Sequence, residues 1–208
     1  MFQDRKEAGE RLGAALQRYK EADPLVLAIP RGGVEVGYEA AKALEAEFDL
    51  LICRKLPFPD NPESGFGAIA EDGTLYINEA AAAYLSEGTI IRIIQEQKEE
   101  IRRRIKKLRG GRPITPIEGR TVILVDDGIA MGSTMTAALR MCRKEAAASV
   151  VVAAPVAGAR AIAWFGQIAD DVVVLESPPD FHAVAQVYAR WYDVSDEEEL
   201  EIMRRARS

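Results

Sequence analysis

Short apolar runs alternate with longer amphipathic stretches along this chain. Residues 3–20 place Leu12, Leu16 and Tyr19 at helical spacing. Pro24-Leu-Val-Leu-Ala-Ile29 is continuously apolar, as expected of a strand buried on both faces. Pro30-Arg31-Gly32-Gly33 breaks that run, and a helical pattern resumes from Val34 to Ala46. Leu50-Leu-Ile-Cys53 then predicts a second buried strand, ending in Arg54-Lys55. Strand, helix and strand in this order predict a βαβ unit of a parallel sheet.

The rhythm then changes. Leu56 to Gly65 is rich in turn formers and is expected to hold no packed element. Gly67 to Ala70 and Thr74 to Ile77 flank Glu71-Asp72-Gly73, which predicts a hairpin. Thr89 to Arg109 predicts a long helix with Ile94, Ile101, Ile105 and Leu108 as its apolar stripe. Past Gly110-Gly111 and Pro113 the alternation returns: strand 121–125, helix 133–147, strand 149–157, helix 159–167, strand 172–175. Pro178-Pro179 ends the regular pattern. An aromatic-rich tail runs from Phe181 to Tyr192, and a helix opens at Ser195, with Glu198 completing a capping box. The predicted fold class is α/β: a doubly wound, mainly parallel sheet flanked by helices. Residues 1–208 are expected to form one domain, with a flexible hairpin insert at 56–88 and a hood with C-terminal helix at 178–208.

Composition narrows the field. With 208 residues, 48% hydrophobic and 29% charged, the chain can bury a substantial core, which excludes disordered and fibrous classes. A formal net charge of −6 excludes a nonspecific nucleic-acid coat, and at first sight suits an anionic ligand poorly. Between Lys98 and Arg112, however, eight Lys/Arg face two Glu. That segment reads as a solvated helix face with i,i+4 ion pairs; nucleic-acid contact is the lesser reading, and a homodimer surface is another use for it. Cys53 and Cys142 lack CxxC spacing and are expected as free buried thiols, and with His182 as the single histidine a His-based zinc site is excluded. No apolar run approaches the ~20 residues of a membrane span, and the first residues lack an apolar leader core. The expected compartment is cytoplasmic, without membrane partners.

The chemistry concentrates in Val122-Ile-Leu-Val-Asp126-Asp127-Gly128-Ile-Ala-Met-Gly132-Ser133-Thr134. A strand ends in two acids, passes through a glycine-containing loop, and enters a helix at two hydroxyl residues. Free backbone N–H groups at such a helix start make a phosphate site. Two acids beside it suit sugar hydroxyls rather than the phosphate itself. A Walker loop and GxGxxG are both absent.

These residues resemble the signature of the type I phosphoribosyltransferases: an apolar strand, two acids, three variable residues, then Thr-Gly-x-Thr/Ser. The resemblance implies that Asp126 and Asp127 bind the ribose hydroxyls of phosphoribosyl diphosphate, and that Ala130, Met131, Gly132, Ser133 and Thr134 hold its 5′-phosphate, with Gly128 and Ile129 as further substrate-binding residues. Met131 stands where the family has Thr, so one hydroxyl contact is missing while the backbone N–H remains. Ala130 stands where hypoxanthine/guanine-type members carry an Asp, which speaks against that subclass. Pro30, Arg31, Gly32 and Gly33 fall where the family places its pyrophosphate loop, and Arg54 and Lys55 look like its basic residues beside the diphosphate. Residues 56–78 resemble its closing loop; within it Glu71 and Asp72 read as turn residues. The tail resembles its hood, with Phe181 and Tyr188 as candidates for base contact, while Trp191 and Tyr192 read as packing residues.

The implied activity is transfer of ribose 5-phosphate to a nitrogenous, base-like acceptor with release of pyrophosphate. Arg31, Lys55, Asp126 and Asp127 are the residues expected to act, and Mg2+ the implied cofactor, reached by Asp126 and Asp127 through water rather than directly. Replacing Asp127 by Asn is expected to weaken sugar-phosphate binding and spare the fold. The rival reading is a phosphoribosyl-diphosphate-binding regulator of transcription or RNA without transferase activity, although no helix-turn-helix or RNA module is appended.

Overall fold

A computed structural model describes residues 1–207. Its central sheet has five parallel strands: β1 (Leu25–Ala28), β2 (Glu47–Leu50), β6 (Thr121–Val125), β7 (Ser149–Val156) and β8 (Asp171–Glu176). They lie in the order β2-β1-β6-β7-β8. A second, antiparallel sheet is built from β3 (Cys53–Phe58), β4 (Asn61–Ala70) and β5 (Leu75–Ile77). The main helices are α1 (Arg5–Ala15), α2 (Gly33–Leu44), the short α3 (Glu79–Ala82), α4 (Glu87–Arg109), α5 (Ser133–Lys144), α6 (Ala159–Ile168) and α7 (Asp196–Arg205).

Period-two alternation sorts the buried strand residues onto two faces. Leu25, Leu27, Val122, Leu124, Val150 and Val152 pack with α5, α6 and the second sheet. Val26, Ile123, Val125, Val151 and Ala153 pack with Leu12 and Leu16 and with Val36, Ala40 and Leu44 of α2. Helices therefore cover both faces, which is why the strands read as unbroken apolar runs. Cys53 and Cys142 are free and buried, as expected; burial pushes both thiols up, Cys142 to about 12.

Two expectations need correction. The strand predicted over Leu50–Cys53 is instead a corner. Leu50 ends β2, Cys53 begins β3, and Leu51 and Ile52 between them are fully buried. An apolar run here marks burial at the junction of two sheets, and β2 itself starts earlier, with an exposed Glu47. The segment Leu56 to Gly65 is also regular structure: it closes the antiparallel pair of β3 and β4, with residues 59–64 exposed at its tip. Its turn formers are accommodated because register shifts flank Pro57, where the ladder does not call on a proline N–H. The hairpin predicted next is present, pairing Gly67 with Ile77 and Ile69 with Leu75.

The long helix begins at Glu87, two residues before the predicted start, because Ser86 caps it by accepting from the Thr89 N–H. Its apolar stripe packs on the second sheet and on Ile202 and Met203 of α7. Its basic half meets the acidic start of α7. Arg104 donates to both carboxylate oxygens of Glu199 at 3.1 and 2.8 Å, both residues being buried. Lys107 pairs with Asp196, and Arg109 with Glu71.

Burial pushes the Glu199 carboxyl up to about 7, against the opposing pull of Arg104. In an unfolded chain the same group titrates near about 4.3. Between these values the folded chain keeps a proton that the unfolded chain has released. The stability contributed by this group therefore falls as pH rises through that window and is lost above it. Denaturant melts at a series of pH values should show this decline in the wild type and a flatter profile in Glu199→Gln. Superimposable profiles would refute the assignment.

Candidate functional site

Parallel α/β sheets bind ligands at the carboxyl ends of strands, where neighbouring strands send their connections in opposite directions. Here that point lies between β1 and β6, and both loops singled out above start from it. After β1 the chain turns through a cis Pro30–Arg31 peptide into α2. After β6 it passes Asp126 and Asp127 into a loop pinned to β7 by Ile129, whose N–H donates to the Val156 carbonyl at 2.9 Å.

The loops approach so closely that glycine is required. A Cβ on Gly32 would lie 1.8 Å from Asp127 Oδ2. A Cβ on Gly128 would lie 2.6 Å from Val184, where the hood rests on the loop. Gly132 is left-handed (φ +75°) and starts α5 without a side-chain cap. By contrast α1, α3, α4 and α7 are capped by Asp4, Asn78, Ser86 and Ser195. The first-turn N–H groups of α5 therefore remain available to an anion.

A cavity of about 560 Å³ opens at this helix start. It brings together Lys55, Asp126, Gly128, Ile129, Ala130, Met131, Gly132, Ser133 and Thr134. Met131, 88% exposed, stands at its rim. Phe58, Tyr76 and Asn78 of the second sheet and its flank complete the wall, together with Val184 of the hood. Pro30, Arg31, Gly32, Gly33, Arg54 and Asp127 do not line it. Arg31 faces α7, with Nη2 3.5 Å from Asp196. Arg54 donates from Nε to Gln97 at 3.1 Å. Burial lowers the Arg54 pKa; Glu100 opposes, and the nearby cations Arg104, Arg31 and Arg103 add to the lowering.

Asp127 has a different partner. Arg5, from the first turn of α1, donates through Nε to its Oδ2 at 2.9 Å, both groups being buried. The same guanidinium donates to the Tyr192 carbonyl at 2.9 Å and stacks 4.1 Å from the centre of the Trp191 ring. Nothing in the local sequence marks Arg5, which lies 122 residues from Asp127.

One of the two hood candidates, Tyr188, is corrected accordingly. Tyr188 is buried between Phe2 and Trp191, and its hydroxyl donates to the Asp127 carbonyl at 2.7 Å, so its ring is not open to a base. Phe181 packs toward the same small cluster. Trp191 and Tyr192 act in packing, as expected, through Arg5.

Burial and the adjacent Asp127 charge hold the Asp126 carboxyl well above the usual range. Burial also raises Asp127, with Arg5 opposing. A ligand that brings hydroxyl donors or a cation would relieve Asp126. Among the described residues no group of three His, Cys, Asp or Glu side chains could cage a metal. With Asp126 and Glu63 as the carboxylates on the cavity, the donor set fits a Mg2+ that arrives on a diphosphate and keeps most of its water.

Fold and cavity thus define an α/β protein whose cavity opens at the uncapped start of α5, beside the point where the strand order reverses. The phosphoribosyl transferase domain model matches residues 3–190, and the chain belongs to that family. Two curated sequences from strains of Mycobacterium tuberculosis, provisionally described as phosphoribosyl transferases, are 39% identical over 208 residues. The alignment takes in 99% of this chain and 47% of each relative, so the chain spans about half their length. The crystal structure of TT1426 from Thermus thermophilus is similar at a TM-score of 0.82 and 39% identity, over 98% of this chain and 97% of that one. A hypothetical protein from Neisseria gonorrhoeae, solved with bound ppGpp, shares the fold at a TM-score of 0.53 and 15% identity, over 99% and 96% of the two chains.

Asp127 is the partner of a buried guanidinium, so breaking this pair is expected to cost stability. Arg5→Met leaves a buried carboxylate unpaired and should cost about 3–5 kcal/mol. Urea denaturation measures this directly; a loss below about 1 kcal/mol, the scale of an exposed pair, would show that the clasp is not structural.

Proposed function

We propose that the chain transfers ribose 5-phosphate from phosphoribosyl diphosphate to a nitrogen of a base-like acceptor, releasing pyrophosphate. The observation that carries this reading is the cavity in which the uncapped start of α5, the Asp126 carboxylate and the Lys55 ammonium converge. The M. tuberculosis relatives, at 39% identity, support the same class of reaction.

The 5′-phosphate binds the backbone N–H groups and hydroxyls of Ala130 to Thr134. Asp126 accepts from ribose hydroxyls, which fixes the sugar relative to the loop. Lys55 faces the diphosphate, and Arg31 and Arg54, on the loop and strand beside the cavity, add positive potential. As the C1–O bond breaks, positive charge grows on the sugar and negative charge on the departing pyrophosphate. The acceptor nitrogen forms the new bond to C1 with its lone pair and afterwards loses its proton. Lys55 is placed to stabilise the leaving group, and the loop holds C1 in line with the acceptor. Mg2+ bound with the diphosphate supplies further charge neutralisation on the leaving group. Asp127 acts indirectly in this scheme, holding the loop through Arg5.

Acceptor contact falls to Phe58, Tyr76 and Val184 rather than to Tyr188. An aromatic wall of this kind suits a flat heterocycle.

Pyrophosphate release should be measured with Mg2+ and phosphoribosyl diphosphate across purine, pyrimidine and pyridine bases. Turnover with at least one base is expected. Lys55→Ala should lower kcat/KM about 100-fold, the scale of losing one preorganised donor. Asp126→Asn should weaken phosphoribosyl diphosphate binding about 10-fold, or about 1.4 kcal/mol. Tight binding without release across the panel would transfer the assignment to a ligand-sensing protein, and no binding at all would end both readings.

A further inference from the structure

The second sheet gives the cavity at α5 a short wall whose polar groups are fixed before any ligand arrives. Tyr76 in β5 and Asn78 just after it line the cavity, with Phe58, Glu63, Ser64 and Ala81 beside them. The wall is held closely to β4. A Cβ on Gly67 would lie 2.2 Å from the Tyr76 carbonyl oxygen, so no side chain fits between the two strands there. The Asn78 N–H donates to the Phe66 carbonyl at 2.8 Å, which carries the attachment past the end of β5.

Every polar atom of Asn78 but one is committed. Its N–H is bound to Phe66, and its carbonyl accepts from the Ala82 N–H at 2.9 Å. Its Oδ1 accepts from the Ala81 N–H at 3.1 Å and so caps α3. A backbone N–H can only donate, so the atom facing it is the amide oxygen, and the amide cannot turn that oxygen elsewhere without losing the cap. Nδ2 is left without a partner among the described residues, on an exposed residue of the cavity wall. The neighbouring polar groups discriminate less. The hydroxyls of Tyr76 and Ser64 can each donate or accept. Glu63 stands at the exposed hairpin tip. Lys55, the other fixed donor, gives a hydrogen bond to the Glu63 carbonyl at 2.5 Å and is assigned to the diphosphate.

We infer that Asn78 determines acceptor specificity, and that the acceptor it selects carries an exocyclic carbonyl, not an amino group, on the edge that meets the end of β5. An amide held by its own oxygen is a donor only. A ring carbonyl completes it, whereas an amino group sets two donors against each other. An exocyclic oxygen also stands out from the ring edge and meets a wall group before a recessed ring nitrogen does. That the occupant is a base-like heterocycle rests on the transferase reading; the donor-only state of Asn78 does not.

Two matched pairs of bases test this: hypoxanthine against adenine, and uracil against cytosine. Equilibrium dialysis on the full chain, with ribose 5-phosphate and Mg2+ present so that no transfer can occur, gives the affinity for each. In each pair that binds, the oxo member should bind about 10-fold more tightly, the scale of one hydrogen bond. Asn78→Asp keeps the cap, because its carboxylate accepts from the Ala81 N–H, but presents an acceptor where Nδ2 was. The preference for the oxo member should then fall about 10-fold. Asn78→Ser keeps a capping oxygen and removes the donor, and should bring the two members of a pair to similar affinity. Equal binding of oxo and amino members by the wild type, binding of none of the four bases, or a wild-type preference in both variants overturns the inference. Loss of pyrophosphate release alone, with the binding preference intact, overturns the transferase reading and leaves the role of Asn78 standing.

Discussion

The buried contact between Arg5 and Asp127 is the constraint on which the rest of the site depends. One guanidinium ties together three parts of the chain that are remote in sequence: the first turn of α1, the loop after β6 and the tail at Trp191 and Tyr192. Each tie answers a different need. The cation offsets the cost of burying a carboxylate beside Asp126, the donated hydrogen bond fixes the Tyr192 carbonyl, and the flat face supports an indole ring. Tyr188 reinforces the arrangement through the Asp127 carbonyl. Burial raises its pKa, with Asp127 adding to the rise, so the phenol keeps its proton and remains a donor. The hood therefore serves first to hold the signature loop in place, and that use of its aromatic residues removes them from the cavity.

Charge is partitioned with similar economy. The net charge of −6 describes neither the cavity nor the long helix. Six acids lie between Asp193 and Glu201, and two of them, Asp196 and Glu199, meet the basic half of α4. Arg104 and Lys107 are paired there, and Arg109 with Glu71, so three of the segment's eight cations are committed to contacts between elements. This weakens the case for nucleic-acid contact along α4. Lys55 is the cation that lines the cavity at α5 among the described residues.

Most of the central sheet was legible in the sequence, because strands covered on both faces must be apolar throughout and glycine loops must separate them. The signature loop was legible for the same reason, its acids and glycines being confined to a strand end and a helix start. The second sheet was not, since Pro57 and Pro62 read as breakers unless the register shift that admits Pro57 is known. Leu50–Cys53 was placed in the wrong element because burial is all an apolar run of four reports. Arg5 was hidden for a different reason: an N-terminal helix displays many charged residues, and only the tertiary structure shows that this one points inward.

The different fates of Asp126 and Asp127 follow from strand geometry. Along β6, Val122 and Leu124 face α5 and the second sheet, while Ile123 and Val125 face α1 and α2. Continuing the alternation past the last strand residue places Asp126 on the α5 side and Asp127 on the α1 side. Asp126 accordingly lines the cavity, and Asp127 meets Arg5. Two adjacent acids at a strand end therefore differ in kind here. In this structure the second carboxylate faces away from the cavity and meets a counter-charge from the opposite face. In this chain the cation at the start of α1 and the glycines of the two loops therefore serve one arrangement: Arg5 meets the outward carboxylate, and Gly32 leaves room for it.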